Sequence, residues 1–189
     1  MSEYSLETNA LLGGYSREFD GVALRELDNL AIVSLAIPLG AKKQAIQRLE
    51  KTFGIQFPAV GKSAVAKDAK TRFLRLGQDQ LFAIFTPPTA DAQKTITSQL
   101  GQSFYTTDQT DVWVALELSG KNAVRALERI CPVDLYPSAF ENGDVARTSM
   151  EHLGTIIVRI ESDHFTLLSA SSSAGSFLHA VETSIINTL

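Results

Sequence analysis

One order of features occurs twice in this chain. An apolar strand candidate, a glycine, a lysine and an amphipathic helix run through LAIVSLAIPLGAKKQAIQRLE at residues 30–50 and again through VWVALELSGKNAVRALERI at residues 112–130. Each is followed by a paired set of strands, so the chain reads β-α-β-β-α twice, as a faint internal duplication. Hairpins between helices, in place of strict strand–helix alternation, predict α+β layers with mixed or antiparallel sheets. With 189 residues, the expectation is one two-lobed unit over residues 29–189, its lobes at about 29–108 and 109–189. An irregular arm at 1–28 precedes it, because that stretch mixes polar residues with isolated apolar ones.

The individual elements follow from local pattern. NLAIVSLAIP at 29–38 is a continuous apolar strand that stops at a proline. After Gly40, Ala45, Ile46, Leu49 and Phe53 share one helical face, and Gly54 closes the helix. VGKSAVAKDAK at 60–70 reads as a connection. TRFLRL and QLFAIF flank Gly77, Gln78 and Asp79 as a hairpin, after which Thr89 is the expected cap of a helix ending at Gly101. In the second half Val112, Val114, Leu116 and Leu118 alternate along one strand face. DVARTSMEH, TIIVRI and HFTLLS are further strands. A terminal helix from Ser173 buries Phe177, Leu178, Val181 and Ile185.

Charge and motif argue against several chemistries. A net charge of -4 with scattered Lys and Arg lacks the clustered positive field that a phosphate backbone needs, so no nucleic acid is expected. The N-terminus has no secretory pattern and no apolar run approaches ~20 residues, so the expectation is a cytoplasmic protein without a membrane partner. VGKS at 60–63 ends like a phosphate loop, but Gln56 stands where such a loop needs glycine. No GxGxxG follows a strand. His152, His164 and His179 lack metal-ligand spacing, and SASSSAG at 169–175 is a cap-forming connection and no nucleophile elbow. No catalytic, cofactor-binding or metal residue is therefore nominated. Cys131, the single cysteine, falls on the apolar stripe of its helix, at a C-terminus that disfavours a thiolate, and reads as core. Pro132 stops that helix.

The stretch RICPVDLYPSAFENGDVARTS at 129–149 carries a resemblance. Cys131, Pro132, Asp134 and Leu135, then Phe140, then Gly143, Ala146, Arg147 and Thr148 occur in the order and spacing of the gamma subunit of heterotetrameric sarcosine oxidase. The similarity extends over residues 111–182, and NALLGG at 9–14 resembles a short motif of the same family. The resemblance implies the folate-binding fold of the aminomethyltransferases. It further implies a noncatalytic structural subunit of an oxidoreductase complex that demethylates sarcosine to glycine, with tetrahydrofolate as one-carbon acceptor. The partners would be alpha, beta and delta subunits, mainly alpha, and FAD, FMN, NAD and tetrahydrofolate would sit in those partners, with none in this chain. Tyr136, Phe140 and Arg147 are the candidate contact residues, since aromatic and Arg side chains are enriched at interface cores; burial in the chain's own core is the alternative for the two aromatics. Two other roles remain open. One is a stand-alone folate-binding or one-carbon transfer protein, whose pterin would be gripped by Glu117 or Asp134. The other is the equivalent subunit of an N-methylglutamate dehydrogenase complex.

Overall fold

The computed structural model describes residues 9–86 and 91–188. Its strands form two antiparallel sheets. The first half contributes β3 (Ala31–Ala36), α1 (Lys42–Phe53), β4 (Ser63–Val65), β5 (Thr71–Arg75), β6 (Gln80–Phe85), α2 (Ala92–Leu100) and β7 (Tyr105–Asp108). These strands lie in the order β4-β5-β6-β3-β7. The second sheet takes β1 (Ser16–Phe19), β2 (Val22–Glu26), β8 (Trp113–Ser119), β9 (Val145–Met150), β10 (Leu153–Glu161) and β11 (His164–Ala170) in the order β1-β2-β8-β11-β10-β9. Its helices are α3 (Ala123–Leu127) and α4 (Ala174–Ile186).

Three cores arrange these elements as helices, sheet, sheet, helices. Ala45, Leu49 and Phe53 of α1 and Ala92, Ile96 and Leu100 of α2 pack on Val33, Leu35, Phe73 and Leu81 of the five-stranded sheet. Ala126, Leu127, Phe177, Val181 and Ile185 do the same on Leu24, Leu116, Leu118 and Leu167 of the six-stranded sheet. The opposite faces meet each other through Ile32, Leu74, Phe82 and Ile84 on one side and Ala115, Ile156, Val158 and Leu168 on the other. Strand period explains this: with alternate residues facing opposite ways, a strand apolar on both faces can serve a helix layer and a sheet layer together. Phe82 meets Trp113 edge-on at 5.7 Å within the middle layer.

The duplication is visible in space. β4-β5-β6-β3 and β9-β10-β11-β8 follow the same strand order, and each half places its helices on one face. The matching strands TRFLR and TIIVR each end their common pattern on an arginine, Arg75 and Arg159, that is 8% and 1% exposed. Each guanidinium gathers backbone carbonyls. Arg75 donates to Pro58, Gly77 and Gln78 and lies over the Phe57 ring at 4.7 Å. Arg159 donates to Leu135 and Ser162 and lies over Phe165 at 4.6 Å. In both halves the carbonyls come from the loop behind the first helix and from the hairpin turn that follows the strand. A buried cation is tolerable only with such partners.

Several expectations change. Residues 16–26 of the expected irregular arm form the β1–β2 hairpin, and β2 pairs with β8, Arg25 opposite Glu117. These strands are short and carry few large apolar residues besides Phe19, Val22 and Leu24, so their local pattern is faint; a distant partner strand makes them. Before them, the backbone N–H groups of Leu12 and Gly14 both donate to the buried Glu26 carboxylate at 2.9 Å, which fixes NALLGG as a turn. Tyr15 donates to Glu182 of α4 at 2.5 Å. Burial, with Glu182 beside it, pushes its pKa up to about 12. Part of the expected 60–70 connection is β4. The expected cap Thr89 lies outside the described residues, and Asp91 caps α2 by accepting from the Lys94 N–H at 2.8 Å. α3 is shorter than the expected 121–130 because Asn122 is drawn into the turn with Gly21 and the last hydrogen bonds tighten before Pro132. Ser173 stands at the start of α4 but makes no side-chain cap bond.

Candidate functional site

Two of the segments singled out from sequence, VGKS at 60–63 and the acidic turn at 141–144, meet in space. Gly61, Lys62 and Ser63 form a stitch between the sheets. On one side Gly61 donates its N–H to the carbonyl of Arg75; on the other, Ser63 N–H donates to Gly143 at 2.7 Å and Val145 N–H donates to Gly61 at 2.8 Å. The Ser63 hydroxyl also donates to the Gly143 carbonyl at 2.9 Å. Lys62 Nζ lies 2.5 Å from Asp144 and 3.3 Å from Glu141. The phosphate-loop look-alike thus binds the chain's own acidic turn. Its lysine answers two carboxylates, and its backbone N–H groups are taken by the carbonyls of Arg75, Ala59 and Gly143.

Cys131 is buried at 6% exposure in the helix-side core, and burial pushes its thiol pKa up, which removes thiolate character at neutral pH. Asp134 is exposed and accepts from the Tyr136 N–H at 2.9 Å, a turn-forming contact. Among the three candidate contact residues, Tyr136 is 66% exposed at the tip of this turn. Phe140 is 5% exposed and belongs to the core under α3 and α4. Arg147 is exposed and donates to Gln80 of β6 at 2.9 Å, tying the two sheets again. Arg159, which holds the Leu135 carbonyl of this segment, carried no motif and was not nominated from sequence. Its signal was an arginine inside an apolar strand, repeated at the same place in each half.

A polar row crosses the inner face of the six-stranded sheet. Arg25, Glu117 and Thr166 are successive cross-strand partners, and the row ends on the apolar Val158, so their side chains share one face. Arg25 Nε donates to Glu117 Oε1 at 2.7 Å, and His164 Nε2 lies 3.1 Å from Glu117 Oε2. Burial opposes the charge of Glu117, yet the bonds from Arg25 and His164 prevail and hold its carboxyl below the usual carboxylate range. Glu117 is therefore ionised, with a partner on each oxygen. A carboxyl whose folded pKa is lowered adds stability above its unfolded pKa and loses it as pH falls through the folded value. Glu117→Gln is expected to cost about 1 kcal/mol at neutral pH, and the gap from wild type to close as pH drops below about 4. Urea titrations across that range measure it; a gap independent of pH would contradict the assignment.

Beside this row the two sheets splay into a cavity of about 190 Å³, lined by Leu30, Leu74, Ile84, Val158, Ile160 and Thr166, with Arg72 and Lys70 among its polar walls. Ligand pockets for drug-sized molecules begin near roughly 300 Å³. Among the described residues no group of three or more His, Cys, Asp or Glu is placed to hold a metal ion. Among them, too, no helix is long and apolar enough to cross a membrane.

No protein-family model matches the chain, and no curated protein matches it in sequence. Solved structures do match it in fold. One is a chain of the heterotetrameric sarcosine oxidase from Corynebacterium sp. U-96, in complex with pyrrole 2-carboxylate. It superposes with a TM-score of 0.76 at 24% identity, over 88% of this chain and 85% of that one. Another is the glycine cleavage system aminomethyltransferase T from Bartonella henselae, with a TM-score of 0.60 at 13% identity; 85% of this chain covers 45% of that one. The chain spans under half of the aminomethyltransferase and most of the oxidase chain. The α+β fold expected from the resemblance is the fold observed, two antiparallel sheets sandwiched between helices, and it is shared with both proteins.

Proposed function

We propose that this chain is the noncatalytic gamma-type subunit of a heterotetrameric sarcosine oxidase complex, which demethylates sarcosine to glycine with tetrahydrofolate as acceptor. The observation that carries the reading is the correspondence with one chain of such an oxidase over 88% of this chain and 85% of that one, at a TM-score of 0.76. Fold alone does not transmit activity, so the side chains matter too, and they support the same reading. The phosphate-loop look-alike is spent on Glu141 and Asp144, the thiol is buried, and Glu117 has both oxygens engaged. FAD, FMN, NAD and tetrahydrofolate then belong to the alpha and beta partners. With Phe140 inside the core, docking on alpha falls to Tyr136 and Arg147.

Co-expression with alpha, beta and delta subunits, followed by size-exclusion chromatography, tests the proposal. The chain is expected to co-elute with the other three. A chain that stays alone beside a fully assembled, active remainder overturns it. If it co-elutes with the subunits of an N-methylglutamate dehydrogenase instead, the role stands and the complex changes.

The fold shared with aminomethyltransferase T favours one other reading, a stand-alone one-carbon protein. Calorimetric titration with tetrahydrofolate separates the two. A subunit of the proposed kind gives no saturable heat, whereas the stand-alone protein gives one-site binding that Glu117→Gln weakens.

A further inference from the structure

We infer that the cavity at the open end of the layer between the sheets binds a small organic monocarboxylate with a single apolar ring. This goes beyond the subunit role and concerns the isolated chain. Arg72 carries the inference. It stands on β5 on the face shared with Leu74 and Ile84 and lines the cavity together with Leu30, Val158 and Ile160. Its one hydrogen bond among the described residues runs from Nη1 to the Ser63 hydroxyl at 3.0 Å, and among those residues no carboxylate pairs with it. The other two half-buried or buried strand arginines, Arg75 and Arg159, are met by carbonyls and stack on rings. The Arg72 guanidinium, half-buried and with its pKa lowered by that burial, keeps donors in hand.

Five N–H groups in a planar fork match a carboxylate bidentately, and a partly desolvated cation favours an anion over water. Glu117, the carboxylate of the inner row, is held by Arg25 and His164, and Asp68 is engaged by Lys70 and Thr71. Size selects the remainder of the ligand. An apolar cavity of roughly 150 Å³ accepts benzene, so about 190 Å³ accommodates one ring with a carboxylate at Arg72. Lys70 at the cavity adds a second positive charge, and the Thr166 hydroxyl offers a bond to a ring substituent.

Titration of the full chain with sodium benzoate in a calorimeter tests this. Saturable one-to-one heat is expected. Arg72→Gln should weaken it at least tenfold while leaving benzyl alcohol binding in place, and Ile160→Trp should abolish both by filling the cavity. Should Arg72→Gln fail to fold by circular dichroism, Arg72→Lys, which keeps the charge without the fork, should weaken benzoate severalfold. Absence of saturable heat with wild type overturns the inference. So does equal benzoate affinity in wild type and the Arg72 variants, or displacement of benzoate by an equal concentration of sulfate, which would reduce the site to a general anion contact. Tetrahydrofolate plays no part in these titrations, so their outcome leaves the subunit reading untouched.

Discussion

Arg159→Met is expected to lower the unfolding free energy by about 4 kcal/mol, the sum of two hydrogen bonds from a charged donor. Methionine fills a similar volume but donates nothing. The buried carbonyl of Leu135 would then lack a partner, the part-buried carbonyl of Ser162 would lose its charged donor, and the guanidinium over Phe165 would be lost. In a chain of this size each kcal/mol shifts the melting temperature by roughly 2–4 °C, so a calorimetric scan should show a drop of about 10 °C. Arg75→Met should follow the same course, since Arg75 performs the same task in the other half. A shift below about 2 °C for Arg159→Met would mean that water satisfies those carbonyls, and the pinning role would be withdrawn.

Gly120→Ala is expected to destabilise by about 3 kcal/mol, through strain and collision together. Gly120 sits at φ +116°, and a Cβ there would stand 2.5 Å from the Gly21 carbonyl oxygen and 3.2 Å from the Val22 Cα. Both are backbone atoms of the β1–β2 hairpin turn, so the hairpin itself must move. Gly40, at the matching turn of the first half, supplies the control. It has φ +78° with nothing within 4 Å of a would-be Cβ, so Gly40→Ala should cost only the left-handed conformation, about 1 kcal/mol. Urea midpoints of the two variants measure the difference. Equal losses would show that the hairpin does not press on Gly120.

The sequence and the structure agree where a pattern is long and local. β3, α1, the β5–β6 hairpin and α4 each show several turns or alternations of apolar residues, and each is where the pattern puts it. β1, β4 and β7 have four residues or fewer, read SREF, SAV and YTTD, and lie at or near sheet edges. Strands of that kind exist through a partner's hydrogen bonds, which a local window does not contain. The same reasoning covers the chemistry. Cys131 was legible as core because helical spacing decides it. The work of Lys62 and Ser63 was not, because their partners Gly143 and Asp144 lie about 80 residues away. Arg159 was legible in principle: an arginine between Val158 and Ile160 asks for a buried partner, and TRFLRL repeats the question.

The placement of β2 has a temporal side. The five-stranded sheet needs residues 31–108 alone and can close as soon as they exist. The six-stranded sheet needs Arg25 beside Glu117, 92 residues later, a lag of roughly 5–20 s at ordinary rates of translation. Throughout that lag Val22 and Leu24 have no sheet to bury them and the hairpin offers an unpaired edge. On a ribosome, the β1–β2 hairpin is therefore the segment of this chain that most needs a chaperone's cover, and it is released from that need by β8.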